Sequence, residues 1–242
     1  MKKLLALLLC VPVVAFAATE VKLDRAPIDD RDAVSIQRGA RTFVNYCLNC
    51  HSATSMRYNR LMDLGLTEAQ IKDNLMFAAE KVGEPMHVAA KASDQKLWFG
   101  KAPPDLSVTA RARGADWLYT YLRGFYRDET KATGWNNIAF DSVAMPHVFW
   151  ELQGVQVLKE VEEPGGGHGD KHVTKKLELA GKGTLTKGEY DRFVADLVNY
   201  MVFMGEPARS QRAQIGYAVL IALTVLLALV YALKREYWKD VH

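Results

Sequence analysis

The sequence predicts a mainly α domain with a small β-hairpin excursion, followed by one C-terminal transmembrane helix. Three observations carry this. Apolar residues recur at three- and four-residue steps, first at Ile36, Ala40, Phe43, Val44 and Cys47, which is the spacing of one helix face. Two alternating stretches (Val155, Val157, Val161 and Val173, Leu177, Leu179) flank the turn-rich run Pro164 to Gly169 and read as a hairpin with a flexible tip. Ala213 to Leu233 is uncharged and mostly apolar; its about 21 residues make roughly 31 Å of helix, one bilayer crossing.

The other elements follow in chain order. Lys2 and Lys3, the apolar run Leu4 to Val14 and Ala15-Phe16-Ala17 form the three parts of a secretory signal, so residues 1–17 are expected to be removed. Leu8-Leu9 before Cys10 do not fit a lipoprotein signal. Asp24 to Asp32, with Pro27, suits an extended lead-in to the first helix. Thr67-Glu68-Ala69-Gln70 has the form of a capping box opening a second helix through about Ala79, and Gly83-Glu84-Pro85 breaks the chain after it. Pro103-Pro104 cannot lie inside a helix. A third helix follows Gly114, with Trp117, Leu118, Tyr121, Leu122 and Phe125 on one face. Asp128 to Trp150 shows no period but is rich in aromatics, as in a long ordered loop. Thr186 to Glu189 is a second capping box, and Tyr190, Phe193, Val194, Leu197, Val198, Met201 and Met204 form the stripe of a last soluble helix, stopped by Gly205 and Pro207. The expected division is a signal (1–17), an exported domain (18–208), an anchor (209–236) and a short tail (237–242). Because the bulk of the chain is exported, the tail stays cytoplasmic and the domain faces the periplasm, and Tyr237 and Trp238 sit where interfacial aromatics belong.

Composition excludes some functions. The chain has 242 residues, 49% hydrophobic and 24% charged, with a formal net charge of +3. These are ordinary globular values, and no basic stripe with interleaved aromatics points to nucleic acid.

After signal removal only Cys47 and Cys50 remain, in Cys47-Leu48-Asn49-Cys50-His51. Cys-x-x-Cys-His is the pattern of c-type haem attachment. At a helix end the three-residue step brings both thiols to one side, where each can add to a haem vinyl group, and His51 is carried to the iron. A structural zinc site would need further ligands. A thiol–disulfide oxidoreductase would place the pair at a helix start after a strand, with a low-pKa first thiol. The domain is therefore expected to be a class I cytochrome c-like haem domain.

His/Met ligation favours electron transfer, whereas an open sixth site favours small-molecule chemistry such as a peroxidase's. Met201 and Met204 lie on the core stripe of their helix. Met56, Met62 and Met76 follow His51 closely in sequence, and the first two would struggle to wrap over the opposite haem face. Met86 competes with Met145, which lies in the irregular loop beside the rigidifying Pro146. An open or histidine-ligated sixth site also stands. His147 reads as a surface residue or a support to the ligand loop, and His168 and His172 as residues of a solvated tip.

Gln37-Arg38-Gly39, the Cys-x-x-Cys-His run, Arg57-Tyr58, Pro103-Pro104-Asp105-Leu106-Ser107, Arg111-Ala112-Arg113, Ala144-Met145-Pro146 and the tail Tyr231 to Arg235 with Trp238 together resemble the cytochrome c1 family, the haem subunit of quinol–cytochrome c oxidoreductase, in its bacterial form. The resemblance spans nearly the whole mature chain. It implies one covalent haem c with His51 and Met145 as axial ligands, Pro104 packed on the haem and Arg113 on a propionate. It also implies electron relay from a Rieske iron–sulfur protein to a cytochrome c acceptor, beside cytochrome b, in a dimeric complex of the inner membrane. A tethered carrier serving another terminal reductase or oxidase is the alternative. Some members steady the ligand loop with a disulfide, for which this chain has no cysteines. Where the family often carries an acidic docking patch, only Glu160, Glu162 and Glu163 cluster here.

Overall fold

The structure is a computed structural model that describes residues 22–164 and 171–240. The expected signal (1–17), the Gly165–Asp170 tip with His168, and residues 241–242 lie outside the described residues. Helix α1 (Ala33–Thr42) starts where the Asp32 carboxylate accepts from the Ser35 N–H at 2.9 Å, and it runs on into a π-helical turn, Phe43–Cys47, that delivers the cysteine pair. Its apolar face, with Ile36, Ala40, Phe43 and Val44 buried, matches the sequence period. Strand β1 (Ala53–Arg57) and a 3₁₀ segment, Tyr58–Leu64, follow; Gly65, at φ +83°, reverses the chain in the left-handed region where glycine is favoured.

Helix α2 (Glu68–Asn74) has the expected capping box between Thr67 and Gln70. It stops short of the expected Ala79, because Leu75 leaves helical geometry and buries its side chain while the Asn74 amide donates to the Gln70 carbonyl. Strand β2 (Pro85–Met86) pairs with β1, and α3 (Ala92–Phe99) and α4 (Thr109–Arg113) flank the Pro103-Pro104 segment. None of these short elements was indicated by sequence period.

Helix α5 (Ala115–Arg123) follows Gly114 as expected but ends at Gly124, so Phe125, expected on its face, falls in the next strand. Strands β3 (Phe125–Arg127) and β4 (Trp135–Asn137) pair antiparallel, so the expected Asp128–Trp150 loop holds one short strand and is otherwise irregular. After α6 (Trp150–Gln153), strands β5 (Gly154–Pro164) and β6 (Lys171–Lys182) form the hairpin, longer than the sequence suggested, with Leu158 opposite Leu177.

Helix α7 (Lys187–Gly205), opened by the Thr186–Glu189 capping box, packs its buried stripe against α1. The crossing is pinned by polar contacts as well: Arg38 donates twice to Asp196 (2.6 and 2.8 Å), and Asn199 donates to the Asp29 carbonyl. Helix α8 (Arg209–Tyr237) leaves the domain, and its segment Gln214–Tyr237, of hydropathy 2.5, is nowhere buried. It has the length and composition to cross a membrane.

Arg123 ties the N-terminal lead-in to this core. Its guanidinium is 17% exposed, donates to Asp191 (2.6 Å) and Asp24 (2.8 Å), and lies 4.3 Å over the Tyr119 ring. Arg123→Ala would leave Asp191 unpaired and the ring uncovered, at a cost of about 2 kcal/mol. The expected result is a thermal midpoint lower by roughly 4–8 °C; an unchanged midpoint would contradict it.

Candidate haem site

The cysteine turn is held on both sides. The Cys50 and His51 N–H groups both donate to the Cys47 carbonyl (3.0 and 2.8 Å), closing the turn that carries both thiols. The proline–aspartate segment lies along the next residues and is laced to them. Leu106 N–H donates to the Ser52 carbonyl, the Thr54 N–H to the Asp105 carboxylate (2.8 Å), and the Ser55 N–H to the Ser107 hydroxyl. Burial raises the Asp105 pKa, but the hydrogen bonds from Ser107 and Thr54 outweigh it, so the carboxyl sits below its ordinary value and stays ionised.

This lacing positions His51. Its Nδ1 lies 2.7 Å from the Pro104 carbonyl oxygen; a carbonyl can only accept, so Nδ1 carries the proton and Nε2 keeps its lone pair. Burial lowers the His51 pKa, partly opposed by the Pro104 bond and by Asp105. The ring is thus neutral, oriented and able to bind metal.

Cys47 and Cys50 are free and partly buried. Burial, with a smaller contribution from Cys50, pushes the Cys47 thiol up to about 12. That is opposite to the activated thiolate of a disulfide oxidoreductase. Two reduced thiols beside a neutral, oriented imidazole form a donor set that fits haem c.

Met145 is half-buried against the small cluster of Phe125, Trp135 and Val143, and its Sδ accepts from the Tyr121 hydroxyl at 3.5 Å. Tyr121 packs against both the main core and this small cluster. It stacks on Trp117 at 4.8 Å, and burial raises its hydroxyl pKa, keeping the donor protonated. Met86, the competing methionine, is fully buried and accepts from Tyr200 at 3.3 Å. Met201 and Met204 are in the core, as expected.

The loop that carries Met145 is steadied without a disulfide among the described residues. Buried Asn136 donates to Asp128 (3.1 Å) and Asp141 (2.9 Å) and accepts from the Ser142 N–H (2.8 Å), while Asn137 donates to the Tyr121 carbonyl. His147 is a correction to the surface reading. It is 2% exposed, stacked on Phe125 at 4.9 Å, and burial lowers its pKa to about 4, so it is a neutral ring that anchors the loop.

Pro104 is exposed at this site. Arg113 is exposed too, its guanidinium 5.1 Å from the Trp117 ring. Two contributors escaped sequence reasoning. Tyr121 was read only as an apolar helix face. Gln95, buried, donates to the Cys50 carbonyl at 2.8 Å from a helix with no apolar period to draw attention to it.

The Cytochrome C1 family model matches residues 24–157 and 183–241, covering the cysteine turn, the proline–aspartate segment, Met145 and the C-terminal helix. The chain belongs to the cytochrome c1 family. Membership makes it a haem-bearing electron-transport protein of the respiratory chain, of the kind found in the bc1 complex. The family match omits most of the β5–β6 hairpin. The chain is 46% identical to the cytochrome c1 of Allochromatium vinosum, over 91% of this chain and 90% of that one. It is 53% identical to a Nitrosomonas europaea protein called ammonia monooxygenase gamma subunit, over 99% of this chain and 97% of that one. The mitochondrial cytochrome c1 haem protein of Schizosaccharomyces pombe is 23% identical over 87% of this chain and 68% of its own length.

Proposed function

We propose that the domain carries one haem c on thioethers from Cys47 and Cys50, with His51 and Met145 as axial iron ligands. In this reading it relays electrons from a Rieske iron–sulfur protein to a cytochrome c acceptor within quinol–cytochrome c oxidoreductase. The observation that carries the reading is the His51–Pro104 hydrogen bond, which leaves Nε2 free beside two reduced thiols. The haem supplies one-electron exchange between ferrous and ferric iron. The residues do the rest. Pro104 holds the imidazole in one tautomer and offers its ring for packing on the macrocycle. Arg113, in no ion pair among the described residues, is available for a charge-assisted bond to a propionate. Tyr121 orients the Met145 sulfur.

Helix α8 anchors the domain in lipid on the periplasmic face of the inner membrane, beside cytochrome b in a dimeric complex. The monooxygenase name of the Nitrosomonas europaea relative is not carried over, because the same residues are accounted for by the cytochrome c1 match and by the haem donor set.

Acid–acetone extraction tests the attachment directly. Colour should stay with the wild-type protein, with a pyridine haemochrome of c type at one haem per chain, and Cys47→Ala with Cys50→Ala should release it. Complete extraction from the wild type would refute the thioethers. Co-purification with a b-type cytochrome and an iron–sulfur protein should follow; their absence would favour the tethered carrier for another reductase or oxidase.

A further inference from the structure

We propose that the cavity where the domain meets α8 binds the head group of a phospholipid with a primary ammonium, phosphatidylethanolamine, in the periplasmic leaflet; this rests on the membrane-anchor reading of α8 above and is independent of the haem assignment. The cavity, of about 210 Å³, is bounded by the lead-in (Asp30, Arg31), the start of α1, the 3₁₀ segment (Asp63) and the α7–α8 junction (Glu206, Arg209). At roughly 30 Å³ for each water it has room for about seven, the scale of a phosphoethanolamine group. Its inner wall is apolar and belongs to the core, with Ile36, Leu64 and Phe203 all buried. The charges of a ligand are therefore met by the flanking polar side chains.

Depth in the bilayer points to a lipid. The apolar part of α8 starts at Gln214, and the lining residues Arg209 and Gln211 precede it by five and three residues. At 1.5 Å per residue they stand about 5–8 Å above the hydrocarbon. A bilayer with about 30 Å of hydrocarbon measures about 40–45 Å with its head groups, which leaves them about 5–8 Å on each side. The cavity thus lies at head-group level, and acyl chains leaving it meet an apolar helix that is nowhere buried in the domain. Val34 and Met62, next in the chain to the lining residues Ala33 and Asp63, are exposed apolar side chains, at 58% and 48%.

The charges select the head group. Three carboxylates (Asp30, Asp63, Glu206) and two guanidinium groups (Arg31, Arg209) line the cavity. Glu206 is held by Arg212 at 2.8 Å, and Asp63 by Arg60 at 2.7 Å through Oδ2. Arg209 lies 3.4 Å from Asp30, and among the described residues no ion pair reaches the Arg31 guanidinium. A phosphate diester finds its cations in Arg31 and Arg209, and charge assistance strengthens those bonds. An ammonium finds acceptors in Asp30 and in the Asp63 oxygen that Arg60 leaves open. Phosphatidylglycerol would bring a negative charge to a lining in which carboxylates are in excess, and choline has no N–H to donate. A zwitterion with a primary amine satisfies both sets.

The test uses the full-length haem-loaded protein in detergent, titrated with phosphatidylethanolamine, phosphatidylcholine or phosphatidylglycerol of matched chains and read by native mass spectrometry as protein carrying one lipid. Half-loading with phosphatidylethanolamine is expected at a concentration about fivefold or more below that for either other lipid. Arg31→Gln with Asp63→Asn should raise that concentration about fivefold and bring the three lipids together. Arg31→Lys, which keeps the cation, should retain the preference, as should Arg25→Gln, at an exposed arginine that does not line the cavity. Equal loading by the three lipids, a preference for phosphatidylglycerol, or a double variant that loads as the wild type would overturn the proposal. So would displacement of the lipid by an equal concentration of glycerophosphoethanolamine, which has the head group without acyl chains, since the cavity would then serve a soluble phosphate ester. Flotation with liposomes separates the two readings. A chain that does not float overturns the anchor and this proposal together, whereas a chain that floats without lipid preference overturns the cavity site alone.

Discussion

Met145→Leu is expected to lower the haem reduction potential by more than about 0.1 V, and to let the reduced protein bind carbon monoxide. His/Met ligation raises the potential of a c-type haem, and axial ligands set haem potentials over roughly 0.8 V. At 59 mV for each tenfold change in a one-electron equilibrium, a drop of that size would stall transfer to a high-potential acceptor. The substitution keeps the volume and the apolar contacts with Phe125 and Val143 while removing the sulfur that accepts from Tyr121. Redox titration and reduced-minus-reduced-plus-CO spectra read the result. An unchanged potential and no CO binding would remove Met145 from the iron. Met86→Leu is the comparison, and Met86, buried in the core and bonded to Tyr200, should leave the potential in place. If Met86→Leu gave the drop, the ligand assignment would pass to it.

What could be read in advance followed the range of the interactions involved. Helices α1, α5 and α7 were legible because their faces bury repeating apolar side chains and two of them begin at a recognisable cap or break. The haem-attachment run was legible because its chemistry is local, three atoms of donor set within five residues. Strands β1 and β2 were not. They are short, and β1 joins β2 across the Ala53–Met86 register by contacts that no local pattern encodes. Helix α3 was missed because its large apolar residues, Leu97, Trp98 and Phe99, are exposed and its one buried side chain is a glutamine, the reverse of a soluble amphipathic helix. The burial of His147 was not legible for a related reason. A histidine between Pro146 and Val148 carries no sign of burial, and the Phe125 and Trp135 rings, outside its own segment, supply its environment. Helix α2 was overextended because apolar residues continue past Asn74, although Leu75 serves the core from a non-helical backbone. The lesson for the site is specific: Cys47, Cys50 and His51 stand in one local motif, the proposed ligand Met145 could not be separated from Met86 by sequence pattern alone, and the groups that contact His51 and Met145, namely Pro104 and Tyr121, arrive from elements remote in sequence.

Gly39→Ala should be strongly destabilising, although it adds only a methyl group. Gly39 lies within α1, where glycine ordinarily costs about 1 kcal/mol relative to alanine, so helix propensity alone predicts that the substitution stabilises. The packing reverses that sign. A Cβ on Gly39 would overlap the Asp196 carbonyl oxygen and would lie 2.6 Å from the Tyr200 Cβ. Both obstacles belong to the α7 backbone or sit directly on it, so no side-chain rotation relieves them, and the two helices must separate. Separation would strain the Arg38–Asp196 pair and the Phe43–Tyr200 ring contact, whose centroids are 5.4 Å apart. It would also shift the end of α1, which becomes the cysteine turn. Overpacking of this kind costs about 3 kcal/mol or more. The expected outcome is a thermal midpoint lower by roughly 6–12 °C together with reduced covalent haem incorporation in cells. A midpoint equal to or above that of the wild type would mean that propensity wins and that the α1–α7 crossing is looser than described.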